Sequence, residues 1–187
     1  MDYFCVDVET SGPVPGMHSL LSIGVTHVRR FQGKYQPMED CYVELQPAFP
    51  EAEEAAMRVN GLDLARLESE GMEPGAAVQK IVTFVEAQRS AKRGGKAVFV
   101  AHNAPFDWMF FIYYAGHYEV DHPFGFACID TKALAMGALD LAWTETSLQN
   151  VAKLVDAEHP DPSQLHHAGA DARHTARVFS ALMNRTS

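Results

Sequence analysis

Apolar and polar positions alternate over residues 3–9, with Phe4, Val6 and Val8 on one side of an extended chain and Cys5, Asp7 and Glu9 on the other. This predicts a strand with one apolar face and an opposite face ending in two acids. The run Ser11-Gly12-Pro13-Val14-Pro15-Gly16 carries turn chemistry at nearly every position. Residues 20–31 read as a second strand and 41–45 as a third, joined through turn residues around Gly33 and Pro37. Three early strands on short connections predict an antiparallel meander.

Helical patterns follow over residues 51–58 and 74–89, where Ala77, Val78, Ile81, Phe84 and Val85 make one apolar stripe. Residues 97–101 read as a short buried strand, and Pro105 suits the first turn of a helix running to about residue 114. A last strand is expected over 126–130, then helices over 131–139, 147–155 and 168–183, with a proline-rich loop (His159-Pro160-Asp161-Pro162) before the last. Strands first and then strand–helix alternation predict an α/β fold, a mixed sheet flanked by helices, in one domain spanning residues 1–187.

Composition narrows the setting. A chain of 187 residues with 47% apolar content can bury one core. No apolar run approaches the roughly 20 residues that span a bilayer, and no secretory signal is readable at the start. Cys5, Cys41 and Cys128 form no C-x-x-C pair and read as reduced thiols of a cytoplasmic protein. The net charge of −9 opposes a broad nucleic-acid-binding surface. Two divalent cations held by acids would bring it to −9 + 4 = −5 and reverse the sign where a phosphate sits. The basic cluster Arg89, Lys92, Arg93 and Lys96 reads as a solvated helix end or as a phosphate-tracking patch.

The chemistry concentrates in three segments. Asp7 and Glu9, at i and i+2 of a strand, point to the same face, where two carboxylates repel unless a cation lies between them. Hard oxygen ligands favour magnesium or manganese over zinc. Asp107 falls in the first turn of a predicted helix, where an acid also complements the helix dipole. Asp171 lies in the last helix behind His166 and His167. In an unbroken helix His167 shares its face at i+4, whereas His166 at i+5 does not.

Taken in order, Asp7-Val8-Glu9-Thr10, Asn103-Ala104-Pro105-Phe106-Asp107 and His166-His167-Ala168-Gly169-Ala170-Asp171 resemble the three motifs of the DEDDh, or DnaQ-like, 3′–5′ exonucleases. That group includes ribonuclease T, oligoribonuclease and the proofreading epsilon subunits of bacterial DNA polymerase. The resemblance runs over about residues 1–183 and implies a ribonuclease H-like sheet, strands 1–3 antiparallel and the later ones parallel. It implies two magnesium or manganese ions roughly 4 Å apart on Asp7, Glu9, Asp107 and Asp171. It selects His166 as general base, which agrees with helix geometry only if the chain at His166 is still loop. Thr10 and the backbone of Ser11 and Gly12 would contact the 3′ hydroxyl of the terminal nucleotide. The expected activity is removal of 5′ mononucleotides from single-stranded RNA or DNA 3′ ends, with a homodimer left open.

Two other readings compete. Haloacid-dehalogenase-like phosphatases also begin from a strand ending in two acids, but have Asp where this chain has Glu9 and need a later lysine motif. A catalytically weak nucleic-acid-binding or polymerase-associated proofreading module is the second, opposed by retention of all four carboxylates. The absence of a tail that could bind a polymerase favours a free-standing enzyme. Of the remaining aromatic and histidine residues, Trp108 reads as core or as a base-stacking ring, and His102 as packed beside the sheet.

Overall fold

The first three strands form the meander that the alternation predicts, in a computed structural model that describes residues 1–89, 95–158 and 166–185. Strand β1 (Asp2–Thr10) lies antiparallel to β2 (Leu20–Phe31), and β2 antiparallel to β3 (Lys34–Glu44). Gln32 and Gly33, both with positive φ (50° and 87°), make the two-residue turn of the β2–β3 hairpin. β3 begins at Lys34, well before residue 41, because an edge strand need bury little and so shows no alternation. Pro37 is accommodated there beside a register shift between Thr26 and Val28.

Three helices follow: α1 (Glu54–Asn60), α2 (Leu64–Glu70) and α3 (Pro74–Gln88). α2 escapes periodicity because it buries only Leu67; Asp63 starts it by accepting from the amides of Ala65 (2.9 Å) and Arg66 (3.3 Å). β4 (Ala97–Ala101) then pairs parallel with β1, and α4 (Ala104–His117) leads to β5 (Cys128–Asp130), parallel to β4. The chain continues through α5 (Thr131–Leu139), a 3-10 turn (Trp143–Glu145), α6 (Leu148–Leu154) and α7 (Ala168–Arg185). The sheet order is β3-β2-β1-β4-β5, the mixed sheet expected from the sequence. Lys92 and Arg93 of the basic cluster and the proline-rich loop at 159–162 lie outside the described residues.

Alternation in β1 divides the core. Phe4, Val6 and Val8 pack with Ala77, Val78, Ile81 and Val85 of α3 and with Phe110, Phe111 and Tyr114 of α4. Tyr3 and Cys5 face the other way, onto Ala176 and Phe179 of α7. Burial of a ring such as Phe179 stabilises the α7 seat by about 2–3 kcal/mol. Asp7 and Glu9 continue this second face, so the α7 side of the sheet changes from apolar to acidic within one strand.

Candidate active site

β1 carries its two acids past the end of its pairing with β4, whose last rung is Cys5 against Val100. Opposite Asp7 on β2 stands Gly24. A Cβ there would lie 2.2 Å from the carbonyl oxygen of Ala168 and 2.6 Å from the Cα of Gly169. The glycine therefore lets the first turn of α7 rest directly on the sheet, and that contact brings Asp171 beside Glu9. An isolated glycine in a strand signals a close backbone approach; Gly24 is a positioning residue that the motifs do not include.

Asp107 arrives from the other side of the sheet. After β4 the chain turns at Asn103, in the left-handed region (φ 70°), a conformation asparagine tolerates better than most residues. The amide of Asn103 donates to Asp130 Oδ1 (3.0 Å), tying this turn to the end of β5. Pro105 then lies in the first turn of α4, and Asp107 is buried at 5% exposure. The edge of β1 that β4 leaves open supplies its partner: the amide of Val8, between Asp7 and Glu9, donates to Asp107 Oδ1 (3.1 Å).

His166 lies just before α7 with φ 59°, so the chain there is not helical. The i+5 spacing to Asp171 therefore poses no geometric obstacle. A ring nitrogen of His166 and a carboxylate oxygen of each of Glu9 and Asp171 all lie within 4.8 Å of one another. His167 goes elsewhere: its ring stacks on Tyr42 of β3, with centroids 4.2 Å apart. The structure thus brings together Asp7, Glu9, Asp107, Asp171 and His166.

The electrostatics of this group are strained. Burial, reinforced by Asp171 and Asp107, pushes the Glu9 carboxyl from its ordinary 4.5 up to about 8. Burial, then the charges of Asp107, Glu9 and Asp171, raises Asp7 well above the carboxylate range. Asp107 is also raised to about 8 by burial, despite the hydrogen bonds from its own amide and that of Val8. Burial raises Asp171 too, against the opposing pull of His166 and His167. Among the described residues, no lysine or arginine counts among the charges that shift the four. A converging set of oxygen donors that resists ionisation fits a hard divalent cation, whose binding would relieve the repulsion.

The loop after β1 is braced by its own side chains. Thr10 Oγ1 donates to the carbonyl of Gly12 (2.8 Å), and Asn60 Nδ2 donates to the carbonyl of Thr10 (3.0 Å). Ser11 Oγ donates to the carbonyl of Glu51 (2.8 Å) and accepts from the amide of Ser19 (2.7 Å). Gly12 sits against the His18 ring, where a Cβ would fall 2.2 Å from it. Trp108 packs edge-on against Phe99 and belongs with the core. His102 Nδ1 pairs with Thr131 Oγ1 (2.9 Å) beside the sheet, as its sequence context predicts.

The sequence matches no family model. It is 38% identical to the 3′-5′ DNA exonuclease Cap18 of Escherichia coli over 182 residues, 96% of this chain and 90% of that protein. It is 30% identical to ribonuclease T of Haemophilus ducreyi over 189 residues, 96% and 84% of the two chains. Its fold matches the nuclease domain of 3′hExo, a DEDDh family member solved bound to rAMP, with a TM-score of 0.79 at 9% identity over 97% and 91% of the chains. With relatives at these identities aligned along nearly their whole lengths, and the three motifs gathered at one end of β1, the chain belongs to the DEDDh family of 3′–5′ exonucleases.

Proposed function

We propose that this 3′–5′ exonuclease removes 5′ mononucleotides from single-stranded DNA or RNA, with Asp7, Glu9, Asp107 and Asp171 holding two divalent cations, magnesium or manganese, and His166 acting as general base. The observation that carries the reading is the convergence of four carboxylates and one histidine from β1, α4 and α7. Divalent ions in such a site supply Lewis acidity at a phosphodiester and acidify water. The protein's part is to keep the oxygen donors in place before any ligand arrives. The Val8 amide fixes Asp107, and the seat of α7 on Gly24 fixes Asp171.

His166 is exposed on the outer side of the cluster, within reach of solvent and of Glu9 and Asp171. Histidine suits the task of taking a proton from an attacking water near neutral pH. Thr10, Ser11 and Gly12 offer the terminal nucleotide a backbone held rigid by hydrogen bonds to Glu51, Ser19 and Asn60. In this reading the Ser11 hydroxyl shapes the loop, and the loop's main chain meets the 3′ hydroxyl. The relatives named as a DNA exonuclease and as a ribonuclease support either polymer as substrate.

The test uses 5′-labelled single-stranded DNA and RNA oligomers with magnesium, manganese or EDTA, and Asp107→Ala alongside the parent. The expected result is a ladder shortening from the 3′ end, absent in EDTA and in the variant. Metal-independent cleavage, or an active Asp107→Ala enzyme, would overturn the assignment of the carboxylates.

A further inference from the structure

The backbone that presents His166 is held in a costly conformation. A φ of 59° places it in the left-handed region, which costs a non-glycine residue about 1–2 kcal/mol and persists only where the surroundings impose it. The backbone amide of His166 is itself bonded to the Asp171 carboxylate, and the following residue adds a second restraint. The carbonyl of His167 accepts from the amides of Ala170 (2.8 Å) and Asp171 (3.0 Å), closing the first turn of α7. Its ring lies on that of Tyr42, with centroids 4.2 Å apart and planes 29° from parallel.

Tyr42 is itself anchored. Its hydroxyl donates to Glu44 Oε1 (3.0 Å), and Arg66 Nη1 holds Glu44 at 2.7 Å. Gly169 leaves room for the stack, because a Cβ there would come within 3.1 Å of the His167 ring and 3.3 Å of the Tyr42 ring. Tyr42 pairs with Gly24, which pairs with Asp7, so stack and aspartate share one row across the sheet.

We propose that Tyr42 and His167 form a clamp whose ring stack fixes the backbone at His166, making both of them positioning residues for the base. The proposal rests on the reading of His166 as that base. Adjacent histidines thereby take separate tasks: His166 faces Glu9 and Asp171, and His167 anchors the turn to β3. Losing the stack leaves every carboxylate and every substrate contact in place. It should reduce turnover without weakening binding, because small misplacement of a reacting group costs on the order of 100-fold.

The experiment measures kcat and KM with magnesium on whichever labelled oligomer the enzyme cleaves. The variants are His167→Ala, His167→Phe, Tyr42→Ala, Tyr42→Phe, the double alanine variant and His166→Ala. His167→Ala keeps the backbone carbonyl but removes, with the ring, the hydrogen bond that Nδ1 accepts from the Ala170 amide (3.4 Å). His167→Phe lacks that bond too and keeps the stack, so it separates the two. His167→Ala and Tyr42→Ala should each lower kcat about 10- to 100-fold with KM within about threefold. Phenylalanine at either position should restore kcat to within about threefold, since it preserves a stacking ring. The double variant should be no slower than the worse single, because both remove the same contact.

Wild-type kcat in His167→Ala, with activity lost in His166→Ala, overturns the clamp and leaves the base assignment standing. Wild-type kcat in His166→Ala overturns the base assignment itself. Multiplying effects in the double variant show that the stack is not the cause and also overturn the clamp. His167 lies at the surface, so its two variants decide the matter even if Tyr42→Ala does not fold.

Discussion

Glu9→Gln should make the metal-free protein more stable while destroying its activity. Glu9 has an ordinary pKa of 4.5 and one of about 8 in the folded chain, raised by burial and then by Asp171 and Asp107. Below pH 4.5 both folded and unfolded chains hold the proton, and the residue costs nothing. Between 4.5 and 8 the unfolded chain gives up its proton while the folded chain retains it, so stability falls as pH rises, by at most ~1.4 kcal/mol per pH unit. Above 8 the loss is complete, with a ceiling of ~5 kcal/mol. Glu9 is only half-buried, and screening reduces the expected cost to about 1–3 kcal/mol.

Glutamine keeps the shape and carries no charge, so it escapes that cost. Denaturant unfolding in EDTA should find Glu9→Gln more stable than the parent by about 1–3 kcal/mol at pH 8, with the difference vanishing toward pH 4.5. Magnesium should reverse the order: the parent, with four carboxylates, gains more from the ion than the variant with three. The parent's gain should also grow with pH, because binding the ion releases protons. A variant equal to or less stable than the parent in EDTA at pH 8 would refute the claim that the cluster is electrostatically strained. A stability difference independent of pH would refute its titration by Glu9.

Three further measurements probe the framework. Gly24→Ala drives a Cβ to 2.2 Å from the Ala168 carbonyl; it should cost about 1–3 kcal/mol in thermal unfolding and greatly reduce exonuclease activity by lifting α7. Full activity would show that the close seat is unnecessary. Ser11→Ala removes a buried hydroxyl bonded to Glu51 and Ser19 and should destabilise by about 2 kcal/mol, which chemical denaturation would register. His102 is lowered from 6.5 to about 4, chiefly by burial and then by the Lys132 charge. Its folded pKa lies below the unfolded one, so its contribution is intact above pH 6.5 and is lost as pH falls toward 4. His102→Asn should therefore lose less stability than the parent over that window in an acid titration of unfolding, and parallel curves would refute it.

What the sequence discloses depends on how many residues cooperate in each signal. β1, β2 and β4 are legible because several side chains repeat the same alternation or form a continuous apolar run. β3 is half hidden because an edge strand faces few neighbours, and α2 because seven residues burying one leucine make no stripe. The candidate site follows the same rule. Asp7, Glu9, Asp107, His166 and Asp171 are readable because three motifs in order reinforce one another.

Gly24, Tyr42 and Asp130 belong to no motif, and each gains meaning only from an element distant in sequence: α7 on Gly24, His167 on Tyr42, the Asn103 turn on Asp130. The choice between His166 and His167 shows the difference most clearly. Helical spacing favours His167, the family pattern favours His166, and a left-handed φ two residues before the helix removes the conflict. Backbone conformation at a single residue is thus what assigns the two histidines to two faces, and no periodicity in the chain encodes it.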